Sequence, residues 1–83
     1  MPRPAKHSFT IRGHRTSISL EAQFWDALRE IAAQRGISIG ALVAEIDAAR
    51  SDDTGLSTLL RLHILEHYRQ QVLRPPAADG DQP

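Results

Sequence analysis

Arg15-Thr16-Ser17-Ile18-Ser19-Leu20-Glu21 is the stretch on which the fold turns. Thr16, Ile18 and Leu20 fall on one side and Arg15, Ser17 and Ser19 on the other, the period of a half-buried strand. At Glu21 the period changes. Phe24, Trp25, Leu28, Ile31 and Ala32 recur at spacings of three and four, with Asp26, Arg29, Glu30 and Gln34 opposite them, which predicts an amphipathic helix. Gly36 follows as the residue expected just past a helix end. Ser38 is then a good N-cap for a second helix with Ile39, Leu42, Val43 and Ile46 on one face.

Outward from this unit, Phe9-Thr10-Ile11 is a second short alternating segment, separated from the first by Arg12-Gly13-His14. Gly13 supplies either a turn or a bulge, and the pattern leaves both open. Residues 1–7 are basic and Pro-rich and are expected to form a flexible arm. The unit proper is expected over residues 8–73, and residues 74–83, which open on Arg74-Pro75-Pro76, are expected to be a disordered tail. A loop at 51–55 precedes a third helix that Ser57 or Thr58 can cap. Its apolar stripe is read as Leu59, Leu62, Leu65, Tyr68 and Val72, widened by Leu60 and Ile64. So much apolar surface must pack on the domain or on another protein.

At 83 residues the chain holds one small domain with little room for a buried catalytic cleft. It has no cysteine, which excludes disulfides, thiolate zinc sites and cysteine nucleophiles. His63 and His67 are one helical turn apart, but Ile64 stands where a zincin motif needs Glu, and two ligands fall one short of a catalytic zinc site. Asp52-Asp53 and the Asp79/Asp81 pair lie in a loop and a tail, not on rigid elements that could carry paired carboxylate chemistry. No enzyme activity, metal or cofactor is expected. The longest unbroken apolar runs are far short of the ~20 residues of a membrane span, and Met1-Pro2-Arg3-Pro4-Ala5-Lys6 has no apolar core of a signal peptide, so no membrane association and a cytoplasmic location are expected.

The net charge of zero conceals an asymmetry. Up to residue 20 the chain carries Arg3, Lys6, Arg12 and Arg15 and no acid, a balance of +4; the remainder balances at −4. A polyanion is therefore expected at the amino-terminal face.

A lone strand leaves both rows of backbone groups unsatisfied, so strand, helix, Gly-x-Ser turn and helix in this order imply pairing with the same strand of a second chain. Over about Arg15 to Ala49 the sequence resembles the Arc- and MetJ-like ribbon-helix-helix family of DNA-binding proteins. In that family the last groove-facing strand residue stands seventeen positions before the glycine between the helices, the interval from Ser19 to Gly36 here. It is most similar to a bacterial subgroup with the start Gly-His-Arg-Thr-Ser-x-Ser-Leu-Glu, present as Gly13 to Glu21. Phe24-Trp25 with Leu28 and Leu42-Val43 with Glu45-Ile46-Asp47 continue the match.

The resemblance implies a mainly α fold with a short β-ribbon, a homodimer extended by a third C-terminal helix, and regulation of transcription through sequence-specific binding of double-stranded DNA. Two strands ~4.8 Å apart make a ribbon narrow enough for a major groove ~12 Å wide. Matched residue by residue, Arg15, Ser17 and Ser19 would contact bases. Ser38 with the backbone amides of Ile39 and Gly40 would hold a phosphate, helped by Arg3, Lys6 and Arg12. Trp25 is read as a core or interface anchor, and since Phe24 and Trp25 point ~100° apart on a helix, one of the two can fill the shared core while the other packs under the third helix. The competing expectation is a dimeric protein-interaction module on the same scaffold. It gains weight if residues 8–14 fold back as a paired strand, because the dimer's sheet would then be four strands wide, roughly 14 Å before side chains, and too broad to enter the groove as a ribbon.

Overall fold

The computed structural model describes residues 4–50 and 54–73. Two strands, β1 (Ala5–Ile11) and β2 (His14–Leu20), are followed by α1 (Ala22–Arg35), α2 (Ile39–Ala48) and α3 (Leu56–Leu73). The expected mainly α architecture with a β-ribbon and an added third helix is what the chain adopts.

The ribbon, however, is made within one chain. β1 pairs antiparallel with β2 in a register running from Ala5↔Leu20 to Ile11↔His14. β2, expected to pair with a partner molecule, pairs along one edge with the segment preceding it, and β1 begins at Ala5, inside the stretch read as a flexible arm. What decides the matter is the turn. Arg12 and Gly13 both have positive φ, 53° and 80°, as the type I′ turn of a two-residue hairpin requires, and this turn matches the twist of the strands it joins. Gly13 adopts this conformation freely, whereas a side-chain-bearing residue in the left-handed region costs roughly 1–2 kcal/mol. Arg12→Asn, which tolerates that region better, should raise stability by about 0.5–1 kcal/mol in chemical denaturation. An unchanged or lowered midpoint would mean that Arg12 is held by contacts that offset the strain.

α1 has Glu21 as its N-cap, without a side-chain capping bond, and closes at Gly36 (φ 70°). There the Gly36 amide donates to Ala33 O and the Ile37 amide to Ala32 O, the paired bonds of a Schellman ending. Ser38 caps α2 as expected, its Oγ accepting the Ala41 amide at 3.0 Å. Ser57 and Thr58 do not cap α3: the helix begins one residue earlier, and the Ser57 hydroxyl donates to Ser19 O at 3.5 Å, tying α3 to the end of β2.

One core lies between the inner face of the hairpin and the three helices. Ile11, Ile18 and Leu20 meet Trp25, Leu28 and Ile31 of α1, Leu42 and Val43 of α2, and Leu60 and Ile64 of α3. Among the described residues no polar or charged residue is buried. The expected faces of α1 and α2 hold. That of α3 holds in part: the widening residues Leu60 and Ile64 are buried with Leu56, and Leu59 and Tyr68 pack partly against the core, whereas Leu62 and Leu65 are 54% and 56% exposed and Val72 is 82% exposed. Leu62 stands about 200° around the helix from Leu60, so both sets cannot face one core.

Candidate nucleic-acid interface

The two faces of the hairpin differ sharply in chemistry. Ala5, Phe9 and Ile11 of β1, with Thr16, Ile18 and Leu20 of β2, turn inward to varying depth, and Lys6, Ser8, Thr10, Arg15, Ser17 and Ser19 are exposed. This follows from the strand period of two acting on both strands at once, since residues in register share a face. The outward pairs are Lys6↔Ser19, Ser8↔Ser17 and Thr10↔Arg15. The Ser8 and Ser17 hydroxyls lie 3.3 Å apart. Every one of the six can hydrogen-bond, two are cations, and none is a carboxylate.

The inner face holds this surface in place. Trp25 is buried at the start of α1 and its Nε1 donates to the Ala5 carbonyl at 2.8 Å, which satisfies its single polar group. The His7 ring meets the Trp25 ring edge-on at 4.5 Å, and Phe9 lies 5.8 Å from it. Phe24 points elsewhere, as expected from its ~100° offset, with the Arg61 guanidinium of α3 5.6 Å from its ring. β1 is thus clamped to α1 through side chains that the sequence placed partly in an arm.

Charge pairing separates the hairpin from the helices. Each described arginine of the helical region and its flank has a carboxylate: Arg29 with Asp26, Arg35 with Glu45, Arg50 with Asp47, Arg61 with Glu21 and Arg69 with Glu66. The Arg35–Glu45 pair is bidentate, at 2.6 and 2.9 Å, and its hydrogen bonds hold the Glu45 carboxyl below its usual pKa. Among the described residues Lys6, Arg12 and Arg15 form no ion pair. Arg12 stands at the hairpin tip, and Arg15 beside it at the start of β2. Arg3, also expected to meet phosphate, lies outside the described residues.

The start of α2 sits next to the hairpin. A Cβ built on Gly40 would lie 3.8 Å from Phe9 Cδ1, so the first turn of α2 touches β1. Ser38 is exposed, and Ile39 and Gly40 are the first helical residues, whose amides have no acceptor within the helix. Ser19 is exposed and takes no part in capping α1.

The two histidines of α3 have other surroundings. His67 Nε2 lies 3.2 Å from Gln34 Oε1, and His63 is partly buried, its pKa pushed down first by desolvation and then by His67 and Arg35. Among the described residues no group of three or more His, Asp or Glu is placed to hold a metal ion. No helix among them is long and apolar enough to cross a membrane.

β1's share in the outward face was missed by the sequence reading. Its signal was present: Lys6, Ser8 and Thr10 alternate with His7, Phe9 and Ile11, mirroring Arg15 to Leu20 about Arg12-Gly13.

The geometry is that of a small helical domain presenting a polar, cationic β-ribbon, and the chain belongs to the ribbon-helix-helix domain family, whose model matches residues 4–68. Proteins of that family are typically DNA-binding regulators of transcription. Among solved structures the chain is similar to an uncharacterized protein from Bordetella pertussis Tohama I, with 32% sequence identity and a TM-score of 0.74 over 89% of this chain and 63% of that one. The chain therefore spans less than two thirds of the length of that neighbour. No curated protein matches it.

Proposed function

We propose that the chain is a cytoplasmic, sequence-specific DNA-binding regulator of transcription that acts as a homodimer. The observation that carries this reading is the pairing contrast: the described arginines beyond the hairpin are neutralised by carboxylates, while Lys6, Arg12 and Arg15 on the hairpin are not. Cations left without counter-charges on a polar, carboxylate-free face suit a polyanion. Arg15 is assigned to guanine O6 and N7, and Ser17 and Ser19 to neighbouring base edges, with less discrimination because a hydroxyl both donates and accepts. Arg3, Lys6 and Arg12 are assigned to phosphates, together with the Ser38 hydroxyl and the Ile39 and Gly40 amides at the dipole's positive end.

The in-chain hairpin alters how the groove is entered. Two strands from one chain already make a ribbon of groove-compatible width. Pairing of two hairpins edge to edge would create the four-stranded sheet that is too broad, so the dimer of this reading joins elsewhere than along the ribbon.

A second reading, a dimeric protein-interaction module, gains weight from the in-chain hairpin, since two such hairpins paired edge to edge make a sheet too broad for the groove, and from the apolar side chains of α3 left uncovered, Leu62, Leu65, Val72 and Leu73. The two readings part on one experiment. Selection from a random duplex pool should return a defined site, and Arg15→Ala should weaken binding at that site by ~1–3 kcal/mol while changing affinity for random duplex much less. If no site is selected and Arg15→Ala leaves duplex binding unchanged, the interaction module takes the regulator's place.

A further inference from the structure

We propose that the outer face of α3 joins two copies of this chain, the two helices lying antiparallel with Leu62 of each against Val72 of the other. The proposal rests on the homodimer of the reading above and names a face that holds copies together, without requiring that the hairpin bind DNA.

The spacing along α3 is the first support. Leu62, Leu65, Arg69 and Val72 follow one another at intervals of three, four and three, the a and d positions of a heptad, and with Leu73 they fall within about 100° of the helix circumference. All five are exposed. Leu60 and Ile64, which face the chain's own core, lie on the opposite side of the helix, so that core makes no use of the stripe. Val72 and Leu73, 82% and 68% exposed, are the most accessible large apolar side chains among the described residues. A helix apolar on two sides buries one of them in its own domain and calls for a partner on the other.

Charge selects both the partner and its direction. The middle of the stripe carries opposite charges, Arg69 and Glu66, 3.6 Å apart and each more than half exposed. Two such helices laid parallel and in register would set Arg69 against Arg69 and Glu66 against Glu66. Turned antiparallel about a two-fold axis midway between Leu65 and Arg69, each Arg69 meets Leu65 and Glu66 of the other copy, its aliphatic stem on the leucine and its guanidinium toward the carboxylate. A face that is its own complement under a two-fold rotation is what a symmetric contact between identical chains requires.

The ends of the stripe also match in shape. A shallow groove between α2 and α3 has Ile46, Ala49, Leu59 and Leu62 as its apolar walls. The register that pairs Leu62 with Val72 brings Leu73 of the same copy to Leu59, so the two most exposed apolar side chains of each chain enter the groove of the other. No hairpin residue belongs to this face, and both hairpins stay open for a partner of their own.

Sedimentation velocity of the full chain over a concentration series tests the proposal, with Leu65→Glu, Arg69→Glu and Glu66→Arg as variants and circular dichroism to check that each keeps its helices. The unaltered chain is expected to associate, and Leu65→Glu to raise the dissociation constant by about tenfold or more, since a symmetric contact feels each replacement twice. Loss of this contact halves the assembly whatever other face also joins the chains. Arg69→Glu and Glu66→Arg should each weaken association alone, because each leaves a single sign of charge at the centre of the face. An equimolar mixture of these two variants should associate again as mixed pairs, although neither chain has recovered its own Glu66–Arg69 pair. A role for that pair only within its helix would give no such recovery. If the unaltered chain associates and the three variants associate as it does, or the mixture regains nothing, the proposal is overturned while the homodimer stands. If the unaltered chain stays a monomer at every concentration, both fall and the stripe is left to a different protein.

Discussion

Replacing Trp25 by Ala should destabilise the protein by about 3–5 kcal/mol, enough to unfold much of a domain this small at ambient temperature. The indole is buried, 1% exposed, between α1 and the inner face of β1. Its loss removes the largest buried side chain, leaves a cavity beneath His7 and Phe9, and strips the Ala5 carbonyl of the 2.8 Å bond from Nε1. Trp25→Phe separates these contributions, since it keeps most of the apolar contact and deletes the hydrogen bond; it should cost less, about 1–3 kcal/mol. Urea denaturation followed by circular dichroism measures both. Equal small losses, below about 0.5 kcal/mol, would mean that β1 is not clamped to α1 as described.

The second large effect concerns α3. Leu60→Ala should cost about 2–5 kcal/mol, because Leu60 is fully buried against the other helices, whereas Leu62→Ala should change stability by less than about 0.5 kcal/mol, because Leu62 is 54% exposed. The pair lies two residues apart on one helix, so propensity and position along the chain are nearly constant and burial alone differs. A reversed order would mean that Leu62, not Leu60, faces the core.

These two sites also mark where sequence reading succeeded and where it stopped. Local rules act within a few residues, and the features they govern were legible. The alternation of Thr16, Ile18 and Leu20 fixed which side of β2 is buried. Gly36 ended α1 with a left-handed cap, and Ser38 capped α2. The partner of β2 was not legible to that reading, because pairing depends on whether Arg12-Gly13 turns or bulges, and an arginine is an uncommon occupant of a left-handed turn position. Nor could periodicity choose the buried face of α3. The helix carries leucines on opposite sides, and only packing against α1, α2 and β2 selects Leu56, Leu60 and Ile64. At the candidate interface the outward side of Arg15, Ser17 and Ser19 followed from the alternation of β2, while the placement of Ser8 and Thr10 beside them required the register. The contrast between paired helical arginines and unpaired hairpin cations was likewise beyond the sequence. Three of those pairs are local, as in Arg29–Asp26, but Arg35–Glu45 and Arg61–Glu21 join different parts of the fold.

The central claim, that the unpaired cations of the hairpin form a face for a polyanion, is tested most directly by the salt dependence of duplex binding. If Arg3, Lys6, Arg12 and Arg15 of two chains all met phosphates, the eight cations would give a log-log slope of affinity against salt near −7. Because Arg15 is assigned to a base, a somewhat shallower slope is expected. Fluorescence anisotropy on a random duplex over a series of salt concentrations, with Lys6, Arg12 and Arg15 replaced together by Ala, should give a slope flatter by about 2–3 per bound chain. Arg29→Ala, which removes a cation already paired with Asp26, should leave the slope where it was. A slope near zero for the unaltered chain, or one that Arg29→Ala flattens as much as the triple replacement does, would contradict the claim.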